Sequence, residues 1–241
     1  MAARIELPLG EDICRADVTR VPTIATDDAG KSDSVRGWRL LTLGWIVAIA
    51  TGSYSMMAYE FQPGTPAAVL PAWPDNSSLL HDTSRWNLVL TAHPHCSCTR
   101  ASLSELAQIV HKHGSQLSIH VLFVKPAGTP ENWERSSTWQ EAEALAQSEA
   151  GVLSGARVHV VSDRAGQEAE RFGAATSGQV LLFDSQGRLR FSGGLTSARG
   201  MAGDGPARRQ ILAVLEGGFS QALASTPVFG CPVFNRTREP R

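Results

Sequence analysis

A long run without charge divides this chain. From Leu40 to Tyr59 there are 20 consecutive residues without a charged side chain, enough to cross the hydrocarbon core of a bilayer as a helix. Basic residues precede the run and Glu60 follows it. Because basic residues favour the cytoplasmic side, we predict a single-pass transmembrane signal-anchor at residues 38–59 in a bacterial inner membrane, with a cytoplasmic N-terminus and a periplasmic C-terminal domain. The basic residues are Lys31, Arg36 and Arg39.

Two other interpretations of this run stay open. A cleaved signal peptide is one, although the polar region before the run is longer than a usual n-region and no clean Ala-x-Ala site follows it. A buried helix of a soluble protein is the other. On the transmembrane interpretation the chain comprises a polar cytoplasmic tail (1–37), the membrane helix (38–59), a proline-rich spacer (60–85), a folded domain (86–225) and a C-terminal tail (226–241).

Strand and helix patterns alternate in the domain. Apolar runs predict five strands, at 86–92, 116–124, 157–161, 179–184 and 188–192, with a tight turn joining the last two. Helical spacing predicts helices at 99–113, from Pro130 to about Ala150, at 167–172 and from Pro206 onward. Such alternation indicates an α/β fold with a mixed sheet and helices on both faces.

Charge and cysteine content exclude several classes of protein. The net charge of −1 gives no reason to expect a nucleic-acid partner. The four cysteines are too few for a disulfide scaffold and lack the spacing of a structural zinc site. On the predicted topology Cys14 lies in the reducing cytoplasm, whereas Cys96, Cys98 and Cys231 lie where disulfides persist. The cysteine content therefore favours reactive over architectural roles, and Cys14 is interpreted as incidental.

Two of these cysteines stand where a thiol becomes reactive. Cys96 and Cys98 follow a predicted strand and begin a predicted helix. Unpaired N–H groups and the positive end of the helix dipole favour thiolate over thiol there, which lowers the pKa of a cysteine. His93, His95 and Arg100 flank the pair, and no carboxylate lies between Asp82 and Glu105.

The domain resembles a known family in two stretches. The run from His95 to Leu106, His-Cys-Ser-Cys-Thr-Arg-Ala-Ser-Leu-Ser-Glu-Leu, resembles the Trp-Cys-x-x-Cys-Arg-Ala-x-x-x-Glu-Leu of membrane-anchored thioredoxin-fold proteins of the TlpA-like and peroxiredoxin-like branch. Residues 163–189 resemble that branch's segment around its cis-proline loop. Pro-x-Cys-x-Cys with the later Gly-Gly-x-Thr-x-x-Arg-Gly is similar to the RedB-like group. The resemblance implies a thioredoxin-like fold preceded by one transmembrane helix.

The sequence departs from the family pattern at two functional positions. In a gapless placement Cys96 takes the position of the nucleophile, but Thr99 takes that of the second cysteine. Counting back from Phe183 puts Gly178 in place of the cis-proline. The usual C-x-x-C pair is therefore absent.

The two thiols suggest disulfide exchange. A bridge between cysteines one residue apart restricts the unfolded chain very little, and its strain makes it prone to exchange. We predict a periplasmic thiol–disulfide oxidoreductase or isomerase acting on protein thiols and disulfides, with Cys96 as the nucleophile, Cys98 as the resolving thiol and Arg100 as a stabiliser. No organic cofactor is implied. The alternatives are copper bound by Cys96, Cys98 and His95, similar to Sco-type proteins, and a non-catalytic binding module.

Two further residues, Cys231 and Arg199, remain open from sequence alone, and four others are assigned structural positions. Cys231 follows the last predicted helix, and if the tail folds back it could resolve a disulfide or bind metal; otherwise it is an unpaired thiol. Arg199, in a glycine-rich loop, is a candidate thiolate or substrate contact. We expect Trp133 and Trp139 to lie on one helix and to be buried in the core. We assign structural roles to the strand residues His120 and His159.

Overall fold

The computed structural model describes residues 29–65, 70–147, 155–218 and 223–234, with side chains from residue 35 onward. Cys14 of the predicted cytoplasmic tail and residues 66–69 of the predicted spacer lie outside these ranges. The chain separates into two units, residues 1–53 and 54–241. Helix α1, Ala29–Glu60, contains the predicted membrane segment. Its part from Val35 to Glu60 is, by length and composition, long and apolar enough to cross a membrane.

The second unit contains a six-stranded sheet. Its strands are β1 (Trp86–Ala92), β2 (Leu117–Lys125), β3 (Arg157–Arg164), β4 (Gln179–Phe183), β5 (Leu189–Gly194) and β6 (Ala224–Ser225). They are ordered β3-β2-β1-β4-β5-β6. Strands β1, β2 and β3 are parallel, β4 is antiparallel to both β1 and β5, and β6 is parallel to β5. Three parallel strands whose edge strand β1 pairs with an antiparallel β4–β5 hairpin form the sheet of a thioredoxin-like fold, so the predicted fold class is confirmed.

Helices cover the sheet because its strands are apolar on both faces. Leu88 and Leu90 of β1 belong to a core formed with α2 (Ser97–His113), α3 (Ser137–Gln147) and α5 (Pro206–Leu215). Val89 points to the other face, where Phe172 packs just after the short helix α4 (Gln167–Arg171). Because successive side chains of a strand point to opposite faces of the sheet, β1 contributes to the hydrophobic core on each face.

The described part of the predicted spacer packs on this second face. The Trp73 N–H donates to the Gly187 carbonyl in the β4–β5 turn at 2.7 Å, and the Pro71 carbonyl accepts from the Leu189 N–H of β5 at 3.0 Å. The Trp73 ring lies edge-on to Phe172 and Phe183, with centroids 4.9 and 5.3 Å away. Residues 70–85 therefore contribute to the folded domain.

The helix predicted from Pro130 begins instead at Ser137. Residues 130–136 form turns, with Asn132 in the left-handed region at φ 61°. A left-handed residue cannot continue a right-handed helix. The prediction that Trp133 lies on a helix in the core is therefore wrong. Its side chain is half-buried, whereas Trp139 is on α3 and buried, as predicted.

Candidate active site

Cys96 lies at the N-terminus of α2, at the carboxyl end of β1. Its backbone is extended (φ −109°, ψ 127°) and the helix begins at the next residue. The turn that leads into the helix is closed by a hydrogen bond from the Cys96 N–H to the His93 carbonyl at 3.2 Å. Cys96 is 5% exposed and Cys98 is 3% exposed. The sequence order of strand, cysteines and helix therefore produces a buried pair of thiols at a helix N-terminus.

The C-terminal segment brings a third thiol to this pair. The Sγ atoms of Cys96 and Cys231 lie 3.0 Å apart, although the residues are 135 positions apart in the chain. The three cysteines within the described ranges are all free. The segment 226–234 crosses from β5 to the loop before β4, and Val228, Phe229 and Val233 are buried along it. The tail thus folds back over the site.

The three sulfur atoms share one negative charge. Hydrogen bonds from the Cys98 thiol, and then from the Cys231 thiol and nearby backbone N–H groups, lower the pKa of Cys96 to about 4, against the opposing effect of burial. The hydrogen bond to the Cys96 thiolate raises the pKa of Cys98. Burial, followed by the same hydrogen bonding, raises the pKa of Cys231 to about 11. At neutral pH the site therefore holds one thiolate between two neutral thiols.

Thr99, three residues after Cys96, joins the two loops that flank the site. Its hydroxyl donates to the His93 carbonyl at 2.8 Å and lies 2.9 Å from the Ser177 hydroxyl. The Ser177 hydroxyl in turn accepts the His93 N–H at 2.9 Å. These bonds tie the loop after β1 to the loop before β4. Ser177 has no signal in the sequence, because a lone serine before a strand carries no distinctive pattern.

Gly178 occupies a position that excludes a side chain. Its φ of +86° lies in the left-handed region, and an added Cβ would come within 2.9 Å of the Ser102 hydroxyl on α2. Its N–H donates to the Thr91 carbonyl at 2.7 Å. The glycine therefore allows the loop before β4 to lie directly against α2 beside the cysteines.

The two histidines lie on one side of the site with Trp133. The Nε2 atom of His95 is 3.2 Å from the Trp133 carbonyl. The ring centroids of His95 and His93 lie 4.7 and 5.7 Å from that of Trp133. Burial lowers the pKa of His93. His93 and Trp133 line a cavity of about 630 Å³, and Pro232, Val233 and Phe234 of the tail line it as well.

Arg100 and Arg199 both make their hydrogen bonds to groups other than the cysteine sulfur atoms. The Arg100 guanidinium hydrogen-bonds Glu141 at 2.9 Å and Ser137 at 3.0 Å, both on α3. Arg199 donates to the Gly230 carbonyl, the residue before Cys231, at 2.6 Å, and its charge also favours the Cys231 thiolate. Arg199 therefore fixes the tail at the site, while the role of Arg100 as a thiolate stabiliser stays a prediction.

The copper alternative also stays a prediction. Among the residues that the structure describes, no group of three or more His, Cys, Asp or Glu side chains has the arrangement of a metal site, and this includes the cluster of Cys96, Cys98 and Cys231. Of the suggested ligands, Cys96 and Cys98 are adjacent to one another, whereas the His95 ring is engaged with Trp133. Titration with Cu(I) would test this hypothesis directly.

No protein-family model and no curated protein matches the sequence. Similar solved structures include a hypothetical protein from Sinorhizobium meliloti, with 20% identity and a TM-score of 0.47 over 71% of this chain and 93% of that one. Another is the exposed lipoprotein thioredoxin of Streptococcus pneumoniae, with 15% identity and a TM-score of 0.37 over 56% and 87% of the two chains. A third is a secreted disulfide oxidoreductase of Mycobacterium tuberculosis, with 7% identity and a TM-score of 0.34 over 56% and 82%. Because all three TM-scores are below 0.5, the fold assignment rests on the strand order and register.

Proposed function

We propose that this protein is a membrane-anchored thiol–disulfide oxidoreductase of the TlpA-like and peroxiredoxin-like branch, with its thioredoxin-like domain in the periplasm. The observation that carries the proposal is the 3.0 Å contact between the Sγ atoms of Cys96 and Cys231. One of these groups has a strongly lowered pKa and the other a raised one. A thiolate facing a neutral thiol within reach of a covalent bond is the reduced form of an exchange pair.

The chemistry follows from this charge distribution. The Cys96 thiolate attacks one sulfur of a substrate disulfide, forming a mixed disulfide and releasing the other substrate sulfur as a thiolate, which takes up a proton. Cys231 then loses its proton and attacks the Cys96 sulfur. The Cys96–Cys231 disulfide forms, and the second substrate thiol leaves. Two electrons pass from the protein dithiol to the substrate, and the reverse sequence oxidises a substrate dithiol.

Cys98 has a different role in this scheme from the one that the sequence suggested. Its thiol donates a hydrogen bond to Cys96, and its raised pKa makes it the poorer attacking group at neutral pH. We therefore assign resolution to Cys231 and stabilisation of the Cys96 thiolate to Cys98.

A redox titration with mapping of each cysteine tests the scheme. The full-length protein in detergent is equilibrated across a glutathione series, and each cysteine is read by differential alkylation and mass spectrometry. We expect Cys96 and Cys231 to titrate together and reversibly, while Cys98 stays reduced. The variant Cys231→Ser should lose the two-electron transition, and the matched variant Cys98→Ser should keep it.

Two results would contradict the proposal in different ways. A bridge between Cys96 and Cys98 in the wild type would restore the C-x-C pair as the redox centre. Thiols that stay reduced across the whole series would exclude disulfide exchange as the function.

A further inference from the structure

The end of helix α1 has carbonyl groups that need partners from elsewhere in the chain. The last carbonyls of an α-helix have no N–H partner within the helix, and the helix dipole makes this end negative. The Arg199 backbone N–H donates to the Glu60 carbonyl at 3.1 Å, and its Nε–H donates to the Tyr59 carbonyl at 3.2 Å. The guanidinium also lies over the Tyr59 ring, 4.8 Å from its centroid. Tyr59 and Glu60 belong to the second unit, residues 54–241. Arg199 therefore joins the last turn of α1 to the loop after β5.

The same guanidinium holds the C-terminal tail. One of its terminal N–H groups donates to the Gly230 carbonyl at 2.6 Å. A single planar group thus bridges the Tyr59 carbonyl and the carbonyl of the residue directly before Cys231. Arginine suits this role because its donors leave a rigid plane in fixed directions. A lysine ammonium would keep the charge but not this geometry.

The residues that follow α1 contact the tail at a second point. The Gly64 N–H donates to the Val228 carbonyl at 2.7 Å. The neighbouring Thr65 carbonyl accepts the Thr176 hydroxyl at 2.9 Å. A Cβ added to Gly64 would lie 2.5 Å from the Thr176 Cγ2 atom, so a larger residue would displace this contact. We call residues 59–65 the anchor junction.

Cys231 is therefore held on both sides along the chain. After Cys231, the tail is bonded to the loop before β4, where the Ser177 N–H donates to the Cys231 carbonyl at 2.8 Å. Before Cys231, the tail is held by Arg199 and the anchor junction. The Cys231 Sγ atom lies 3.0 Å from that of Cys96. The rate of an intramolecular attack falls steeply when the attacking atom is misplaced, so the groups that hold the tail bear directly on the resolving step.

We propose that Arg199 and the anchor junction are positioning elements for resolution, because they hold Cys231 against Cys96. This inference rests on the proposed role of Cys231 as the resolving thiol. Attack by Cys96 on a substrate disulfide proceeds without these elements, whereas attack by Cys231 on the mixed disulfide slows when they are lost. The end of the predicted membrane helix thereby contributes to the reaction, and the segment after it is part of the site.

A two-step assay on the full-length protein in detergent separates attack from resolution. Reduced protein reacts with one equivalent of the thiopyridyl disulfide of glutathione. The Cys96 thiolate attacks the glutathione sulfur and releases thiopyridone, whose absorbance gives the rate of attack. Cys231 then loses its proton to solvent and attacks the Cys96 sulfur, which forms the Cys96–Cys231 disulfide and releases glutathione as a thiolate that takes up a proton. Acid quenching and mass spectrometry give the lifetime of the glutathionyl intermediate.

Two variants weaken the hold on the tail while the positive charge stays in place. Arg199→Lys cannot bridge the two carbonyls, and Gly64→Val displaces the anchor junction from Thr176. In both, attack should keep the wild-type rate, and the intermediate should last about tenfold longer. A loosely held tail also lowers the effective concentration of Cys231 at Cys96. A tenfold loss should raise the reduction potential of their disulfide by about 30 mV, since this is a two-electron couple.

Matched variants serve as controls for these effects. Tyr59→Ala removes the ring under the guanidinium and should prolong the intermediate by about threefold, because an exposed cation–π contact is weak. Tyr59→Phe keeps the ring and should match the wild type. Gln62→Ala changes an exposed side chain of the anchor junction and should leave both steps unchanged.

Each contrary result has a distinct meaning. If Arg199→Lys and Gly64→Val are folded by circular dichroism and resolve the intermediate at the wild-type rate, the anchor junction does not position Cys231. Equal slowing of attack and resolution would overturn the inference, because the whole site would then be distorted. A displaced pH profile of resolution with an unchanged plateau in Arg199→Lys would show an effect on Cys231 ionisation instead. If the wild type forms no Cys96–Cys231 disulfide, the proposed resolving role of Cys231 itself fails.

Discussion

At the scale of single residues, the chemistry of the site depends on which of its three cysteines is ionised. Cys96, Cys98 and Cys231 are chemically identical side chains, yet hydrogen bonding lowers the pKa of Cys96 and raises that of Cys98, while burial followed by hydrogen bonding raises that of Cys231. The dominant influence on Cys96 is the Cys98 thiol. The spacing of one residue therefore places a proton donor beside the nucleophile, and this can be tested by changing the donor.

The prediction concerns the pH dependence of Cys96 alkylation by iodoacetamide. With a pKa of about 4, Cys96 is a thiolate throughout pH 5–8, so its rate should be flat over that range. In Cys98→Ala the pKa should rise because the main hydrogen bond is gone. A rise of about two units above the wild-type value would lower the rate at pH 5 by roughly tenfold.

The conservative variant Cys98→Ser is the control, because its hydroxyl can still donate to the thiolate. It should keep the flat profile of the wild type. If Cys98→Ala and the wild type have superimposable profiles, Cys98 is not the group that stabilises the thiolate.

At the scale of the elements, the sequence predicted the strands and helices that have a local apolar period. It did not predict the segments whose position depends on contacts between residues far apart in the chain. The strand β1 and the helix that follows the cysteines have apolar periods that specify them locally. The start of α3 was misplaced because Pro130 is a good first residue for a helix, while the left-handed Asn132 has no such signal. The position of the tail could only be stated as a condition, because its pairing with residues 175–177 joins segments far apart in sequence.

The loop before β4 gives the prediction at this scale. Gly178→Ala should destabilise the protein by about 1–3 kcal/mol, because alanine is strained at a φ of +86° and its Cβ meets the Ser102 hydroxyl. The Ser102 hydroxyl is buried and has no hydrogen-bond partner among the described residues. Ser102→Ala alone should therefore be close to neutral.

The double variant separates the two causes. Removing the hydroxyl relieves the contact but not the backbone strain, so Gly178→Ala with Ser102→Ala should recover only part of the loss. The measurement is the urea midpoint of the full-length protein in detergent. Full recovery in the double variant would show that the backbone conformation contributes nothing, and an unaffected Gly178→Ala protein would contradict the whole account.

At the scale of the whole molecule, the second face of the sheet joins the predicted spacer to the domain. His120 of β2 is 3% exposed, and its Nε2 atom lies 3.1 Å from the Leu80 carbonyl oxygen. Its ring stacks on that of His159 at 5.1 Å and lies 6.0 Å from that of Trp73. The structural role predicted for these histidines agrees with this packing. This buried site favours the neutral form of the His120 ring, because the protonated form would lose its contact with water.

The pH dependence of stability follows from this burial. Burial, followed by the nearby His159, lowers the pKa of His120 from 6.5 to about 4, while Glu168 acts in the opposite direction. A lowered pKa in the folded state means that the stabilising contribution is complete above pH 6.5 and is lost as the pH falls toward 4. Between pH 7 and pH 5 the free energy of unfolding should fall by about 2 kcal/mol from this group alone.

Urea unfolding of the full-length protein in detergent, at both pH values, measures this loss. His120→Asn carries no titrating group, so its difference between pH 7 and pH 5 should be smaller than that of the wild type by about the same 2 kcal/mol, whatever its absolute stability. His93, whose pKa is also lowered by burial, keeps part of the slope in both proteins. His111→Asn is the matched control on the exposed surface of α2 and should retain the full wild-type difference. If His120→Asn retains it as well, protonation of this face does not limit the stability of the folded domain in acid.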